Sequence, residues 1–281
     1  MGHVIAVANQ KGGVGKTTSA INIASEIALA GHSVLLVDFD PQGSATSGLG
    51  IAAREEGQDL YDMFFGSVSI RDILTPTAIE RLMVAPASRD LVGLEIELGK
   101  VPGRELILKS QLNLLRPSFD YVIIDCPPSS GLLTLNALGA ADKILIPLQA
   151  EYYALEGISA LMNTVEFVRQ TFNPSLTIVG VFMTMFDART NLSTMVEGEA
   201  KGFFKDLMFA ERVPRNIKLS EAPSHGMPIC LYDPLSSGAR AYKAIAGELV
   251  ARCSGVAQQR TSPSVAVMTE EESPMEKVGN Q

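Results

Sequence analysis

The stretch HVIAVANQKGGVGKTTSAINIASEIALAG, residues 3–31, joins an apolar run to a long helical pattern through a turn with three glycines in four positions. Few folds can use such a joint. HVIAVA (3–8) has the apolar character of a buried strand, and Ile23, Ile27 and Ala30 recur at helical spacing, with Gly31 placed to end the helix. SVLLVD (33–38) follows as a second strand and completes a βαβ unit. Backbone N–H groups in a glycine turn between strand and helix can close on phosphate oxygens, and the helix aims its positive end at them. In such a loop Lys16 reaches the β and γ phosphates and the Thr17 hydroxyl is a ligand for Mg²⁺. The usual pattern GxxxxGK[ST] needs a glycine at position 10, where this chain has Gln10. What stands here is a deviant phosphate loop, KGGVGKTT, in which a second lysine, Lys11, precedes Gly12, Gly13, Val14, Gly15, Lys16, Thr17 and Thr18.

The rest of the chain repeats the strand–helix alternation. Strands are expected at 121–126, 143–148 and 176–184, with a weaker one at 80–87; helices are expected at 103–115, 131–139, 154–172, 193–208 and 238–252. This order predicts a single α/β domain with a mostly parallel central sheet and helices on both faces. The ATPase domain is expected to span 1–253. From Ser254 the chain turns to Ser, Pro, Gln, Thr and Glu with no sustained apolar period, so 254–281 reads as a disordered, polar and acidic tail.

Composition narrows the function classes. With 46% hydrophobic and 19% charged residues the chain suits a globular core, and no run approaches the roughly 18 apolar residues of a membrane helix. The N-terminus lacks the pattern of a signal peptide, so a cytoplasmic location is expected. Cys126, Cys230 and Cys253 lie too far apart in sequence for a disulfide framework or a metal quartet. A net charge of −8 means that nucleic acid could be held only by a local basic patch.

Two further segments fit the phosphate site. VDFDPQG (37–43) ends the second strand with Asp38 and Asp40 at the carboxyl edge of the sheet, where carboxylates hold Mg²⁺ waters or orient the attacking water. YVIIDCPPS (121–129) is an apolar strand ending in Asp125, the form of a Walker B element that holds the metal through water.

KGGVGKTT, DFDPQGSATSGLGI, IIDCPPS, FDARTNLS and VPRNIKLSEAPSHGMPI occur in an order and spacing that resembles the ParA-type partition ATPases, close to the chromosomal Soj group, over residues 3–252. The resemblance implies ATP and Mg²⁺ as cofactors, a homodimer in the ATP state, non-specific binding to double-stranded DNA and a ParB-like stimulating partner. It implies chromosome or plasmid partitioning in a cytoplasmic protein associated with the nucleoid. The absence of an extra N-terminal DNA-binding domain favours the short chromosomal type. Lys11 resembles the signature lysine that crosses a nucleotide-sandwich dimer to the partner's ATP. Asp40 resembles the residue that positions the hydrolytic water, and Asp125 the metal-associated switch residue; Thr17, Asp40 and Asp125 form the metal set. Pro214, Asn216 and the backbone near Met185 fall where the family holds adenine. Arg189 and Lys218 fall where its basic residues contact DNA, with Arg215 adding to them. Slow turnover is expected, because an Asp near its ordinary pKa of about 3.9 is a weak base.

A MinD-type membrane ATPase is the alternative. It shares the loop but ends in a basic amphipathic helix, whereas here ARAYKAIAGELVARC is followed by an acidic polar tail, so no membrane partner is expected. An iron–sulfur electron-transfer enzyme of the same superfamily would need paired cysteines that the spacing does not supply. His225 is expected to be a structural turn residue near the nucleotide, and His3 and His32 to be surface or packing residues.

Overall fold

The computed structural model describes residues 2–52, 59–151 and 154–255, with no side-chain description for 154–156. Seven strands form one sheet: β1 (His3–Val7), β2 (Val34–Asp38), β3 (Thr75–Pro76), β4 (Leu82–Ala85), β5 (Tyr121–Asp125), β6 (Lys143–Gln149) and β7 (Thr177–Thr184). Their order is β3-β4-β2-β5-β1-β6-β7, parallel throughout except for β3, which pairs antiparallel with β4 at the edge. The chain leaves β1 in one direction for β2 and later crosses back over it from β5 to β6. The crevice at the carboxyl end of β1 is therefore the switch point where such sheets bind ligands.

Alternation along each strand builds two cores. Val4 and Ala6 of β1, with Leu35, Val37, Val122 and Ile124, face one layer; Ile5, Val7, Val34, Leu36 and Ile123 face the other. The first layer is closed by helices Ile107–Leu115, Leu132–Ala140, Ala154–Thr171 and Asn191–Phe204, the second by Lys16–Leu29 and Ser237–Cys253. Helices cover both faces, as the alternation predicts. The first helix is buried on almost every side, and its Ser19 meets the hydroxyl of buried Tyr242 at 3.0 Å, tying it to the last helix. Gly31, at φ 98°, turns the chain out of that first helix.

The strands expected from the sequence all form, the weak one shortened to Leu82–Ala85, and the two-residue β3 adds to them. Short helices such as Ser44–Gly48, Leu60–Phe64, Leu94–Glu97 and Ile217–Glu221 lie outside the expected set. The last helix runs to Cys253; of the tail, residues 256–281 lie outside the described residues.

Candidate nucleotide site

The loop after β1 is fastened at both ends before any ligand is considered. Asn9 donates from Nδ2 to the Pro147 carbonyl at 2.9 Å and accepts the Lys11 backbone N–H at 3.0 Å. Gln10, which stands where the standard motif has glycine, donates to the Ala160 carbonyl and to Thr164 Oγ1 at 2.7 Å, clamping the loop to helix Ala154–Thr171. The Thr184 hydroxyl at the end of β7 donates to the Val14 carbonyl at 2.8 Å. Gly13 and Gly15 take φ of 75° and 86°, which side chains resist, and Gly15 is the N-cap of the first helix. Space is open where a Cβ would stand on Gly12 or Gly13. A turn of this kind has free N–H groups facing room for an anion.

The two lysines have separate surroundings. Lys16 is 6% exposed, and its Nζ donates to the Lys11 carbonyl at 2.9 Å. Burial pulls its pKa down, partly offset by Asp125, Cys126 and Asp40. Lys11 is engaged elsewhere, its Nζ 2.5 Å from Glu151 Oε2 just beyond β6, and Gln149 donates to the other oxygen of the same carboxylate. Glu151 is absent from the residues singled out by sequence, because its link to Lys11 spans 140 positions and arises from the pairing of β1 with β6.

Carboxylates fill the opposite wall. Asp38 and Asp125 are register partners at the ends of β2 and β5, and both are fully buried. Asp38 Oδ2 accepts both the backbone N–H and the hydroxyl of Thr46, at 2.7 and 2.6 Å, and its Oδ1 has no partner among the described residues. Neither oxygen of Asp125 has one. Burial drives both acids up, Asp38 to about 6 against the pull of Thr46, and Asp125 well above the usual carboxylate range with the added repulsion of Asp38 and Thr17 pulling the other way. Burying unpartnered carboxylates is costly, and a cation is the usual compensation. The orphaned oxygens beside Thr17 thus fit a divalent metal held through water. Mg²⁺ is such an ion, since it keeps several waters and shares substrate phosphates. Asp40 is half-buried in the turn after β2, and its Oδ1 accepts the Gln42 N–H at 3.0 Å.

The segment after residue 212 lies alongside the end of β7. Phe186 bridges Pro214, the Phe186 N–H reaches the Val213 carbonyl at 3.0 Å, and Arg215 N–H reaches the Phe186 carbonyl at 3.1 Å. Met185 is at φ 49°, a strained turn for a side-chain-bearing residue. Met185, Pro214 and Asn216 therefore lie on or next to this paired backbone. The Asn216 side chain is already engaged, capping helix Ile217–Glu221 through the Lys218 N–H at 2.9 Å and donating to Ser237 Oγ at 3.0 Å. The two halves of the site also touch: a Cβ on Gly226 would lie 2.6 Å from Gly50 Cα, so APSHG and SGLG cross backbone to backbone. His225 stacks on Tyr232, and His3 and His32 pack against Tyr121.

The basic residues lie on the same side as that segment. Arg189 forks onto Asp187 at 2.7 and 2.9 Å and holds its carboxyl down at about 2, with Arg215 contributing through its charge. Lys218 pairs with Glu221 at 2.8 Å. Three cations thus face two carboxylates, a weaker positive field than the three basic residues alone imply.

Together, the glycine loop between β1 and a helix, the buried lysine and the strand-end aspartates define a phosphate-loop nucleoside triphosphatase. The chain is 52% identical over 251 residues to the sporulation initiation inhibitor protein Soj of Bacillus subtilis, covering 89% of this chain and 99% of Soj. It belongs to the Soj/ParA family of chromosome-partitioning ATPases and hydrolyses ATP. The chromosome partitioning protein ParA of Myxococcus xanthus is 50% identical, with 90% of this chain and 89% of that protein covered. A family model described as an AAA domain matches residues 2–178. Among solved structures, cobyrinic acid a,c-diamide synthase from Mycobacterium smegmatis with bound ATP analogue and magnesium superposes with a TM-score of 0.82 at 36% identity, covering 94% of this chain and 99% of that one. No helix among the described residues is long and apolar enough to cross a membrane.

Proposed function

We propose that this chain is a Mg²⁺-dependent ATPase whose ATP-bound homodimer binds double-stranded DNA non-specifically and is reset by a ParB-like partner. It serves chromosome or plasmid partitioning in the cytoplasm, on the nucleoid. Residues 1–253 form the ATPase domain and 254–281 an appended tail. The observation that carries this reading is the separate engagement of the two lysines: Lys16 is buried with its Nζ on the Lys11 carbonyl, while the Lys11 side chain pairs with Glu151 beyond β6. Lys16 and the N–H groups of residues 12–18 bind the subunit's own phosphates, and Thr17, Asp40 and Asp125 hold Mg²⁺ and its waters. Mg²⁺ supplies charge neutralisation on the phosphate oxygens. Asp40 orients the attacking water, and Pro214, Asn216 and the Met185 backbone hold adenine.

Phosphoryl transfer depends on positioning and on cancelling charge, and a cation supplied in trans accelerates it by about 10³ to 10⁵. In this reading Lys11 of the neighbouring subunit takes that role, which links hydrolysis to dimerisation. DNA contact through Arg189, Arg215 and Lys218 is to phosphates, and it needs two copies because Asp187 and Glu221 pair with two of the three cations in each patch. The amide synthase name belongs to the Mycobacterium smegmatis protein; the higher identity to Soj, over the whole of its length, favours partitioning.

The test is retention of double-stranded DNA with ATP, with ADP and without nucleotide, for the native chain, Lys16→Ala, Asp40→Ala and Arg189→Ala. Lys16→Ala is expected to lose nucleotide, Asp40→Ala to hold ATP and DNA persistently, and Arg189→Ala to dimerise without DNA. Equal retention by the native chain in all three nucleotide states would sink the reading. ATP-dependent binding to lipid vesicles without DNA binding would favour the MinD-like alternative.

A further inference from the structure

A cavity of about 580 Å³ opens between helix Ser237–Cys253 and the end of helix Lys16–Leu29 that is remote from the phosphate loop. Ile27 and the 54% exposed Leu29 give it an apolar wall on one side, and Val250 on the other. From the last helix Arg240, Lys243, Gly247 and Val250 line it at spacings of three and four residues, so they form one stripe. Gly247 leaves a gap in that stripe, because nothing lies within 4 Å of where its Cβ would stand. Arg240 and Lys243 are exposed, and neither takes part in an ion pair among the described residues. The acid on the opposite wall, Glu26, is pushed up by burial, with Lys243 pulling it down. His32 also lines the cavity and faces Asp120 at 4.0 Å. In a chain of net charge −8 this is a local cationic groove with apolar walls.

The same chain carries a segment of matching chemistry. After Gly255 comes VAQQRTSPSVAVMTEEESPMEKVGNQ, in which the apolar run 265–268 is followed closely by Glu270, Glu271 and Glu272. Gly255 takes φ 75°, the left-handed turn that carries a chain off the axis of a finished helix. Returning alongside the last helix from Gly255 to Arg240 covers about 22 Å at 1.5 Å per residue. Residues 256–264 reach about 30 Å when extended, so the tether is long enough. A tether that short holds the segment at an effective concentration on the order of millimolar, where modest contacts suffice. In an extended run alternate side chains share a face, which lets Val265 and Val267 meet an apolar wall together.

We propose that residues 265–272 occupy this cavity within their own chain, with Val265 and Val267 against Ile27, Leu29 and Val250 and the three glutamates beside Arg240 and Lys243. The order of the tail fits the order of the stripe. Val250 lies nearest Gly255 and meets the apolar run, and the two cations lie farther back and meet the acids that follow it. Shape and charge together select this occupant: a phosphate backbone would pair with the cations but leave the apolar walls uncovered. The surface lies outside the nucleotide site, and its occupancy is independent of the partitioning reading.

Cys230, half-buried on the cavity wall, reports occupancy. The full chain, without nucleotide or DNA, is pulsed with iodoacetamide, and alkylation of Cys230 is followed by mass spectrometry, with buried Cys126 as the check on the fold. Val267→Glu, which sets a charge where a valine is buried, should raise the Cys230 rate about tenfold. Replacing Glu270, Glu271 and Glu272 together with Lys should raise it about twofold or more. Adding Arg240→Glu and Lys243→Glu to that chain should slow it again. The first two variants change only the tail, so collapse of the domain cannot mimic the result. An unchanged rate in Val267→Glu overturns the docking, and a rise there with none on charge reversal overturns the assigned register. A native rate that falls as protein concentration rises assigns the segment to a second copy and overturns docking within one chain. If native and Val267→Glu chains react alike and double-stranded DNA protects Cys230 equally in both, the cavity belongs to DNA and the proposal fails.

Discussion

Replacing Glu151 with Gln tests whether Lys11 is held in its own subunit until a partner arrives. In the structure the Lys11 ammonium sits 2.5 Å from Glu151, with side-chain exposures of 30% and 45%. Solvent screens a pair that open, so its value is about 0.2–1 kcal/mol and not the much larger figure of a dry interior. A symmetric dimer in which each Lys11 crosses over breaks two such pairs, which sets the cost at about 0.4–2 kcal/mol per dimer. Glu151→Gln keeps an acceptor for the lysine but removes the charge, so most of this cost disappears. The dimer dissociation constant in ATP should then fall by about 2- to 30-fold. Sedimentation equilibrium in an Asp40→Ala background, where ATP is expected to persist, measures it directly. The gain should shrink as salt rises, since salt already weakens the pair in the native chain. An unchanged or weaker dimer in Glu151→Gln would refute the idea that this ion pair opposes dimerisation.

Three other outcomes follow from the site and the core. Gly226→Ala places a methyl 2.6 Å from Gly50 Cα at φ 62° and should lower stability by more than about 1 kcal/mol, read as a drop in thermal midpoint. Asp38, raised to about 6 in the fold, favours folding when protonated, so its contribution is lost as pH rises from the ordinary carboxyl value through about 6. Without Mg²⁺ and nucleotide, Asp38→Asn should therefore raise the thermal midpoint more at pH 8 than at pH 5; an equal gain at both would refute the sign. Tyr242→Phe strips the partner from the buried Ser19 hydroxyl and should cost about 1–3 kcal/mol in urea unfolding.

The central strands were legible because each is an apolar run bounded by turn residues, and their pairing follows from the βα alternation. β3 was not: two residues, one of them Pro76, carry no period and exist only because β4 offers an edge. The glycine loop and the strand-end acids Asp38 and Asp125 were readable as local motifs. Thr184, Thr46 and Glu151 were not, since each acts on a residue placed beside it by the sheet or by the turn after β2. The carboxylates that pair with two of the three basic residues were hidden for a related reason: Asp187 and Glu221 lie close by in sequence, but whether a carboxylate folds onto its neighbour is a matter of rotamer and turn.

The crossing of Gly50 and Gly226 has a mechanical meaning. Most neighbouring helices of the core meet through side chains, which can change rotamer and absorb a small displacement. Here two main chains touch with nothing between them to rearrange. In the proposed reading, a shift of helix Ser44–Gly48, which follows Asp40, would pass with little damping to the segment running from Pro214 to Pro228. That segment carries Pro214, Arg215, Asn216 and Lys218, so the residues proposed to hold adenine and DNA are tied to the element after Asp40 by a strut only one bare backbone thick on each side.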